Sequence, residues 1–468
     1  MRTRSALRPA QIRVVDEMKQ SLGLQLVMGL GAGKTATTLT AIVDLLADKT
    51  IRAAIIIAPV RVALTTWPNE IANWEHTQHL DAVVLAGSPA KRLALLKEQH
   101  EVYICSIDNL VWLIDALRKF KDDDPRWDML VIDELSRFKS PRGGRAKKLN
   151  RFSERFKAVI GLTGTPRPNG WEDQWMPLNI VSGGYAWGTG FDGWREEHFR
   201  KKDYRGHQWE LRPEHEARLK KVVDDWTLTI PPDQATDIPF NSGPDFDVVV
   251  PLTKAQKDDI ASLEKELVIE LGAEGTDLLN PDEELVEAMS QATASGKISQ
   301  ICQGFLYKDG ETIQTYSDAK LKALDDLLAA ADAENVIIVY EYRHDFEMLK
   351  KHLKGARWVD REQSDDEFVQ LINDCRAGKV QYLLAHPANL GHGVDGLQHG
   401  FSRMIWFQYS WSQELVAQMT ARIARSGQTK PVYSHRIMAD HWLEQRRVQR
   451  VEEKMAGEAE FIQTLRRI

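Results

Sequence analysis

Residues Met28 to Thr35 read MGLGAGKT, after a short apolar run and before a segment with helical spacing. Strand, glycine-rich turn and helix start are the context in which backbone N–H groups turn toward phosphate oxygens. The helix N-terminus adds its positive dipole there. In that setting Gly31, Ala32 and Gly33 cradle phosphate, Lys34 reaches the outer phosphates and Thr35 holds Mg2+. Met28 stands where the strict P-loop pattern has glycine, so the match is to the shorter GxGKT form. An ordinary strand–turn–helix is the bland alternative. VIDELS (131–136) places Asp133 and Glu134 at the end of an apolar strand. One carboxylate would enter the Mg2+ shell while the other orients an attacking water; the alternative is a pair of exposed acids opening a loop. LTGTP (162–166) also follows a strand, so that Thr163 and Thr165 would bond the Asp133–Glu134 loop or the γ-phosphate region, or simply form a Gly-Pro turn.

QMTARIARSGQ (418–428) is the informative segment of the second half. On a helix Gln418, Arg422 and Arg425 fall at i, i+4 and i+7, on one face. Two arginines there suit a γ-phosphate, as an arginine finger does; a solvated basic face is the alternative.

The elements that must position these residues alternate in period. Residues 8–21 have helical spacing, LQLVMG (24–29) reads as a buried strand, and Thr35 to Leu46 is helical again. AAIIIAP (53–59), DAVVLAG (81–87), VYICS (102–106), MLVIDE (129–134) and AVIGLTGTP (158–166) are further apolar runs, most of them separated by helical patterns. Near-continuous apolar strands alternating with helices predict a parallel sheet covered on both faces. After Pro166 the pattern weakens; residues 252–294 read as mostly helical. From about 318 the alternation resumes, with strands at 336–342, 380–386, 404–409 and 432–438. The expectation is an α/β chain: two RecA-like parallel-sheet lobes in tandem with a mostly helical insertion. We place the first lobe at 1–170, the inter-lobe region at 171–316, the second lobe at 317–440 and a helical C-terminal segment at 441–468.

The chain has 468 residues, 43% of them hydrophobic and 28% charged, an ordinary globular balance for two to four domains. No run of 18 apolar residues suggests a membrane span, and the first residues lack a secretory pattern. Three widely spaced cysteines form neither a disulfide framework nor a CxxC metal site, so a reducing cytoplasm is expected. His386 and His392 have no third ligand at zinc spacing. The net charge of −7 gives no hint of nucleic-acid binding, so its distribution matters. Arg142 to Lys157 holds seven basic residues against Glu154 alone; Glu264 to Glu287 holds nine acidic residues against Lys265 alone. The first could lie along phosphates and the second would be repelled by them; the alternative is two solvated faces of opposite sign.

GxGKT, DExx, TGTP and QxxxRxxR, in this order, resemble superfamily-two helicase motifs I, II, III and VI. Finer features resemble the Swi/Snf-type translocases. LRPAQ (7–11) is similar to their adenine-reading motif and carries Gln11. IIIAPVRVALTTWPNEIANW (55–74) is similar to motif Ia, with Trp67, Glu70 and Trp74 in the family's positions. GHGVDGLQ (391–398) resembles motif V and ARIARSGQ (421–428) motif VI, and the whole most resembles the compact versions found in bacteriophages and prophages. There are departures: Ala32 is inserted in motif I, motif II reads DELS, Ala421 replaces a glycine, and Gly396 adds a residue to motif V.

The resemblance implies a DNA-dependent ATPase using ATP and Mg2+, with Lys34, Asp133, Glu134, Arg422 and Arg425 catalytic. Nucleotide contacts would come from Gln11, Gly31–Thr35, Thr163, Gly393 and Gln418, and metal ligation from Thr35 and Asp133. Double-stranded or forked DNA would meet Ser106, Asn109, Arg142, Arg145, Lys147 and Asn389, mostly through phosphates. It further implies a monomer, acting in phage or bacterial replication, recombination or repair. Two other readings stay open: a strand-separating DNA or RNA helicase, and a non-hydrolysing DNA-binding or anti-defence adaptor. Among the tryptophans, Trp67 and Trp74 are expected to pack the first lobe, and Trp171, Trp175, Trp187 and Trp194 to pack the protein rather than stack on bases.

Overall fold

Alternating burial inside each apolar run explains the architecture. In the computed structural model, Ile55 and Ile57 enter the core on one face of a sheet, while Ala54, Ile56 and Ala58 enter the core on the other. Leu130 and Ile132 are split in the same way from Met129 and Val131. A strand buried on both faces has no polar side to expose, hence its continuous hydrophobicity. The description covers all residues except 30, 121–126, 189, 202–208, 231–241, 272–292, 309–311, 360–362, 391–395, 426 and 466–468.

The chain divides into two compact units, Met1–Pro239 with Gly457–Ile468, and Phe240–Ala456. The strands of the first unit are β1 (Gly23–Val27), β2 (Ala54–Ala58), β3 (Ala82–Val84), β4 (Val102–Ser106), β5 (Met129–Asp133), β6 (Ala158–Thr163), β7 (Phe199–Lys201), β8 (Trp209–Leu211) and β9 (Thr227–Thr229). Seven of them form one sheet in the order β3-β4-β2-β5-β6-β1-β9, and every pairing in it is parallel. β7 and β8 make a separate hairpin.

In the second unit the strands are β10 (Ser242–Val250), β11 (Phe305–Lys308), β12 (Thr312–Thr315), β13 (Val336–Val339), β14 (Arg357–Trp358), β15 (Tyr382–Ala385), β16 (Arg403–Trp406) and β17 (Val432–Ala439). Its parallel six-stranded sheet runs β10-β17-β16-β13-β15-β14. Two parallel sheets, each clothed by helices, are the expected α/β fold.

The segment between the motif-bearing cores is partly helical, at Trp175–Ser182, Phe191–His198, Pro213–Trp226, Lys254–Leu271 and Thr293–Gln303. It also gives each of the two large parallel sheets one strand that the pattern does not announce. β9 is only Thr-Leu-Thr, and β10 opens with Ser-Gly-Pro-Asp, so neither carries an apolar run across its length. The four tryptophans of this segment pack as expected: Trp175 and Trp194 are buried in the core of the first unit, with Trp171 and Trp187 packed against it. Of the acidic stretch, 272–287 lies outside the described residues. The cysteines are free and buried. No helix among the described residues is long and apolar enough to cross a membrane, and no group of three or more metal-binding side chains is present among them.

Candidate active site

In a parallel sheet all strands end at the same edge, so strand order decides which strand-end residues meet. β5, β6 and β1 are consecutive neighbours. Asp133 is registered with Leu162, and Val27 with Thr163. The segments after these strands therefore leave side by side. Three sequence-distant motifs are thereby gathered on the first unit.

The loop after β1 is shaped by backbone conformation. Gly31 and Gly33 have φ of 76° and 85°, a region that favours glycine. Gly33 caps helix Lys34–Ala47. The Ala32 N–H donates to the Gly29 carbonyl at 3.2 Å, and the Met28 N–H to the Thr163 carbonyl at 3.1 Å. Lys34 Nζ donates to the carbonyls of Met28 (2.9 Å) and Gly29 (3.3 Å). A Cβ on Gly29 would meet nothing within 4 Å, so the loop has open space beside it. Thr35 lies in the first turn of the helix.

Asp133 closes β5 and is buried. Its Oδ2 accepts the indole N–H of Trp67 at 3.0 Å. Burial pushes its carboxyl upward, opposed by the Lys34 ammonium and the Trp67 N–H. Glu134 follows with φ 60° and ψ 57°, a left-handed conformation unusual for glutamate. Such a turn is a strained arrangement of the kind that concentrates at functional sites. It seats Leu135 against β6, where a Cβ on Gly161 would lie 2.3 Å from Leu135 Cδ2.

Thr163 is buried, and its Oγ1 accepts the N–H of Thr165 at 3.1 Å. Its carbonyl, rather than its hydroxyl, makes the link to the phosphate loop. Gln11 Oε1 accepts the Arg8 N–H at 2.8 Å, closing the N-terminus of its own helix. Gln11 Nε2 donates to the Ala32 carbonyl at 2.9 Å. The glutamine thus braces the phosphate loop, and a Cβ on Gly33 would lie 2.3 Å from its Nε2. The donor set (an ammonium, helix-N-terminal amides, a hydroxyl and two acids) fits a triphosphate with a divalent cation.

Ser106 ends β4, and Asn109 Nδ2 donates to its Oγ at 3.0 Å. Arg142 pairs with Asp192 at 3.2 Å and Arg145 with Asp108 at 3.3 Å, all exposed. Helix Gly144–Ser153 buries Ala146, Leu149 and Phe152, and turns Arg145, Lys147, Lys148 and Arg151 to solvent. An open cleft of about 370 Å3 beside it is lined by Lys139, Arg142 and Arg195, but also by Glu172 and Asp173. Two acids offset two of its three cations, which makes it a poor anion site.

In the second unit, helix Gln413–Ile423 starts on Ser412, whose Oγ accepts the Leu415 N–H. Gln418 is buried and donates to Glu414 at 3.2 Å. The helix ends at Ile423, so Gln418 and Arg422 lie on it but Arg425 does not. The continuous helical face predicted through Arg425 is corrected here. The physical reason is a side-chain cap: Gln428 Nε2 donates to the carbonyls of Ile423 (3.1 Å) and Phe401 (2.8 Å), and Gly427 turns the chain at φ 91°. Asn389 sits in the short helix Pro387–Leu390, its N–H bonded to the His386 carbonyl at 2.9 Å. Gly393, His392 and Asp395 lie outside the described residues.

Sequence reasoning misses several supports. Trp67, expected only to pack, also donates to Asp133. Gln25, a lone polar residue in an apolar run, bonds Gln174 at 3.1 Å inside the first unit, and no sequence pattern pairs the two. Glu458, which accepts the Arg167 N–H, lies in a charged helix with nothing to single it out.

A model of the SNF2-related domain matches residues 12–234. The p41 protein of Acyrthosiphon pisum secondary endosymbiont phage 1 is 30% identical over 98% of this chain and 98% of its own length. The ISWI chromatin-remodeling complex ATPase ISW1 of Saccharomyces cerevisiae is 23% identical over 96% of this chain, which spans only 40% of that protein. Among solved structures, the Sulfolobus solfataricus SWI2/SNF2 ATPase core in complex with double-stranded DNA is similar at 19% identity. It has a TM-score of 0.44, over 98% of this chain and 94% of that one. The full-length phage likeness, joined to the domain match over the phosphate-loop unit, places this chain in the Swi/Snf-type, SNF2-related family of superfamily two.

Proposed function

We propose that this chain is an ATP-hydrolysing motor that moves along double-stranded or forked DNA, serving phage or bacterial DNA replication, recombination or repair. The observation that carries the ATPase reading is the gathering of Lys34, Asp133 and the Thr163 loop at the ends of three neighbouring parallel strands. ATP would lie on Gly31–Thr35, with Gln11 and Thr163 holding the loop that receives it. Lys34 would exchange the carbonyls of Met28 and Gly29 for phosphate oxygens. Mg2+ held by Thr35 and Asp133 would neutralise phosphate charge. Glu134 orients the attacking water and takes its proton, and Arg422 and Arg425 supply guanidinium charge for the departing γ-phosphate, with Gln418 and Gly393 as further nucleotide contacts. DNA phosphates would meet the exposed side of helix Gly144–Ser153, with Ser106, Asn109 and Asn389 as additional contacts.

Steady-state ATP hydrolysis tests this, measured without nucleic acid and with single-stranded, duplex and forked DNA and RNA. Glu134→Gln is the blank. Strong stimulation by duplex or forked DNA is the expected result. Stimulation by single strands or RNA alone would replace it with a strand-separating helicase. Absence of hydrolysis under every condition would favour the adaptor reading.

A further inference from the structure

The chain returns to the first unit at Gly457, after building the second. The returning piece is the end of helix Trp442–Thr464. Val448 and Val451 of this helix pack in a core of the second unit, whereas Phe461 and Leu465 enter a core of the first. Between them residues 452–457 are exposed apart from half-buried Lys454.

What the returning segment meets is the loop after β6. Glu458 Oε1 accepts the backbone N–H of Arg167 at 3.1 Å. The Arg167 guanidinium lies 3.8 Å from the Phe461 ring centroid and 4.9 Å from that of Trp171. Trp171 and Phe461 meet edge to face at 5.3 Å. The same loop is held at Pro166, whose carbonyl accepts Gln174 Nε2. At Thr163 its carbonyl accepts the Met28 N–H. Residues 163–167 are therefore pinned to the phosphate loop at one end and to Glu458 at the other.

We propose that Glu458 is a positioning residue for the Thr163–Pro166 loop, so that ATP turnover depends on docking of the C-terminal segment through the Arg167 N–H. This rests on the ATPase reading above and adds a regulation to the same site. The choice of a glutamate gives the contact a pH response. Glu458 faces Arg167, Lys139 and Asp173, and Arg167 in turn faces Glu216 and Glu460. Burial raises the Glu458 carboxyl from 4.5 to about 7, against the pull of the Arg167 N–H and guanidinium. The docked form keeps a proton that a solvated glutamate loses. Docking is therefore fully supported below pH 4.5 and weakens as the pH climbs through 7. A neutral acid still offers a carbonyl oxygen to the N–H, so Glu458→Gln imitates the docked acid at every pH.

The test compares the whole-chain wild type, Glu458→Gln and Glu458→Ala from pH 4.5, the value of the solvated carboxyl, to about pH 8.5, beyond the shifted one. Hydrogen–deuterium exchange of peptides covering residues 163–170 is read beside kcat and KM for ATP, with circular dichroism melting as the folding control. Glu458→Ala should exchange faster at Arg167 and lower kcat by about threefold or more, the scale of one hydrogen bond, with little change in KM. Glu458→Gln should match wild type at the acid end. At the alkaline end it should exceed wild type in both protection and kcat. Equal exchange in all three proteins would overturn the docking role. Faster exchange in Glu458→Ala with unchanged kcat would overturn its part in turnover. Glu458-dependent exchange in a wild type that hydrolyses no ATP would overturn the ATPase reading and the turnover role while the docking contact stood.

Discussion

The indole N–H of Trp67 donates to the carboxylate of Asp133 at 3.0 Å, and both side chains are buried. The tryptophan heads helix Trp67–Asn73, so a segment far from the two acids in sequence fixes the rotamer of one of them. Trp67→Phe keeps much of the packing and removes the donor. We expect a loss of about 1–3 kcal/mol in urea unfolding, the cost of leaving a buried acceptor unsatisfied. A fall in ATP turnover should exceed that of a volume-matched change elsewhere in the same core. Unchanged stability and turnover would show that the bond positions nothing.

Gly161 makes room for Leu135, the residue that follows the left-handed Glu134. In Gly161→Ala the new methyl would press on Leu135 Cδ2 at 2.3 Å and on Val181 Cγ1 at 3.0 Å. Overpacking of this kind costs about 1–3 kcal/mol. Leu135→Ala alone empties a buried position. The two changes together should cost less than their sum, since each relieves the other's fault. Strict additivity in denaturant melts would refute the steric account.

Helix Gly144–Ser153 presents Lys147, Lys148 and Arg151 to solvent. If these meet DNA phosphates, replacing them by alanine should flatten the slope of log affinity against log salt by about 0.9 for each phosphate left unneutralised. The weakening should be alike for unrelated duplex sequences. Fluorescence anisotropy across a salt series measures both. A slope that does not move would place the DNA surface elsewhere.

Asp345 is fully buried in the second unit. Burial pushes its carboxyl from 3.8 to about 8, with Lys320 opposing the rise and Glu341 adding to it. The native state therefore holds a proton that the unfolded chain releases. The contribution of this group to stability is full below pH 3.8 and is lost as the pH rises to about 8. The swing is on the order of a few kcal/mol. Asp345→Asn should remove this slope and leave the protein more stable than wild type at alkaline pH. Urea unfolding across the range reads it, and a variant with the wild-type slope would assign the titration to another group.

How much is legible in the sequence can be judged from particular residues. The phosphate loop, the two acids and the threonine loop are readable because each follows or closes a strand buried along nearly its whole length. Such runs leave a signature in composition that local polarity cannot hide. β9 and β10 leave none: one is too short, and the other mixes charge with its apolar residues. Spacing draws Arg425 onto a helix because it reports periodicity but not the side-chain cap that Gln428 provides at Ile423. Gln11 is singled out by the LRPAQ motif, but its bonds to Arg8 and Ala32 require knowing which backbone passes beside it.

The sequence by itself determined the class of fold, the order of the motifs and the family, since those depend on local hydrophobicity and on short runs of specific residue types. Tertiary structure alone decided the strand order β5-β6-β1 that brings Asp133 and Thr163 beside the phosphate loop. It also decided the donation from Trp67 to Asp133 and the return of Glu458 to Arg167, across 66 and 291 residues of chain. Contacts at such separations depend on which faces pack together to bury apolar surface, and no local pattern encodes that choice.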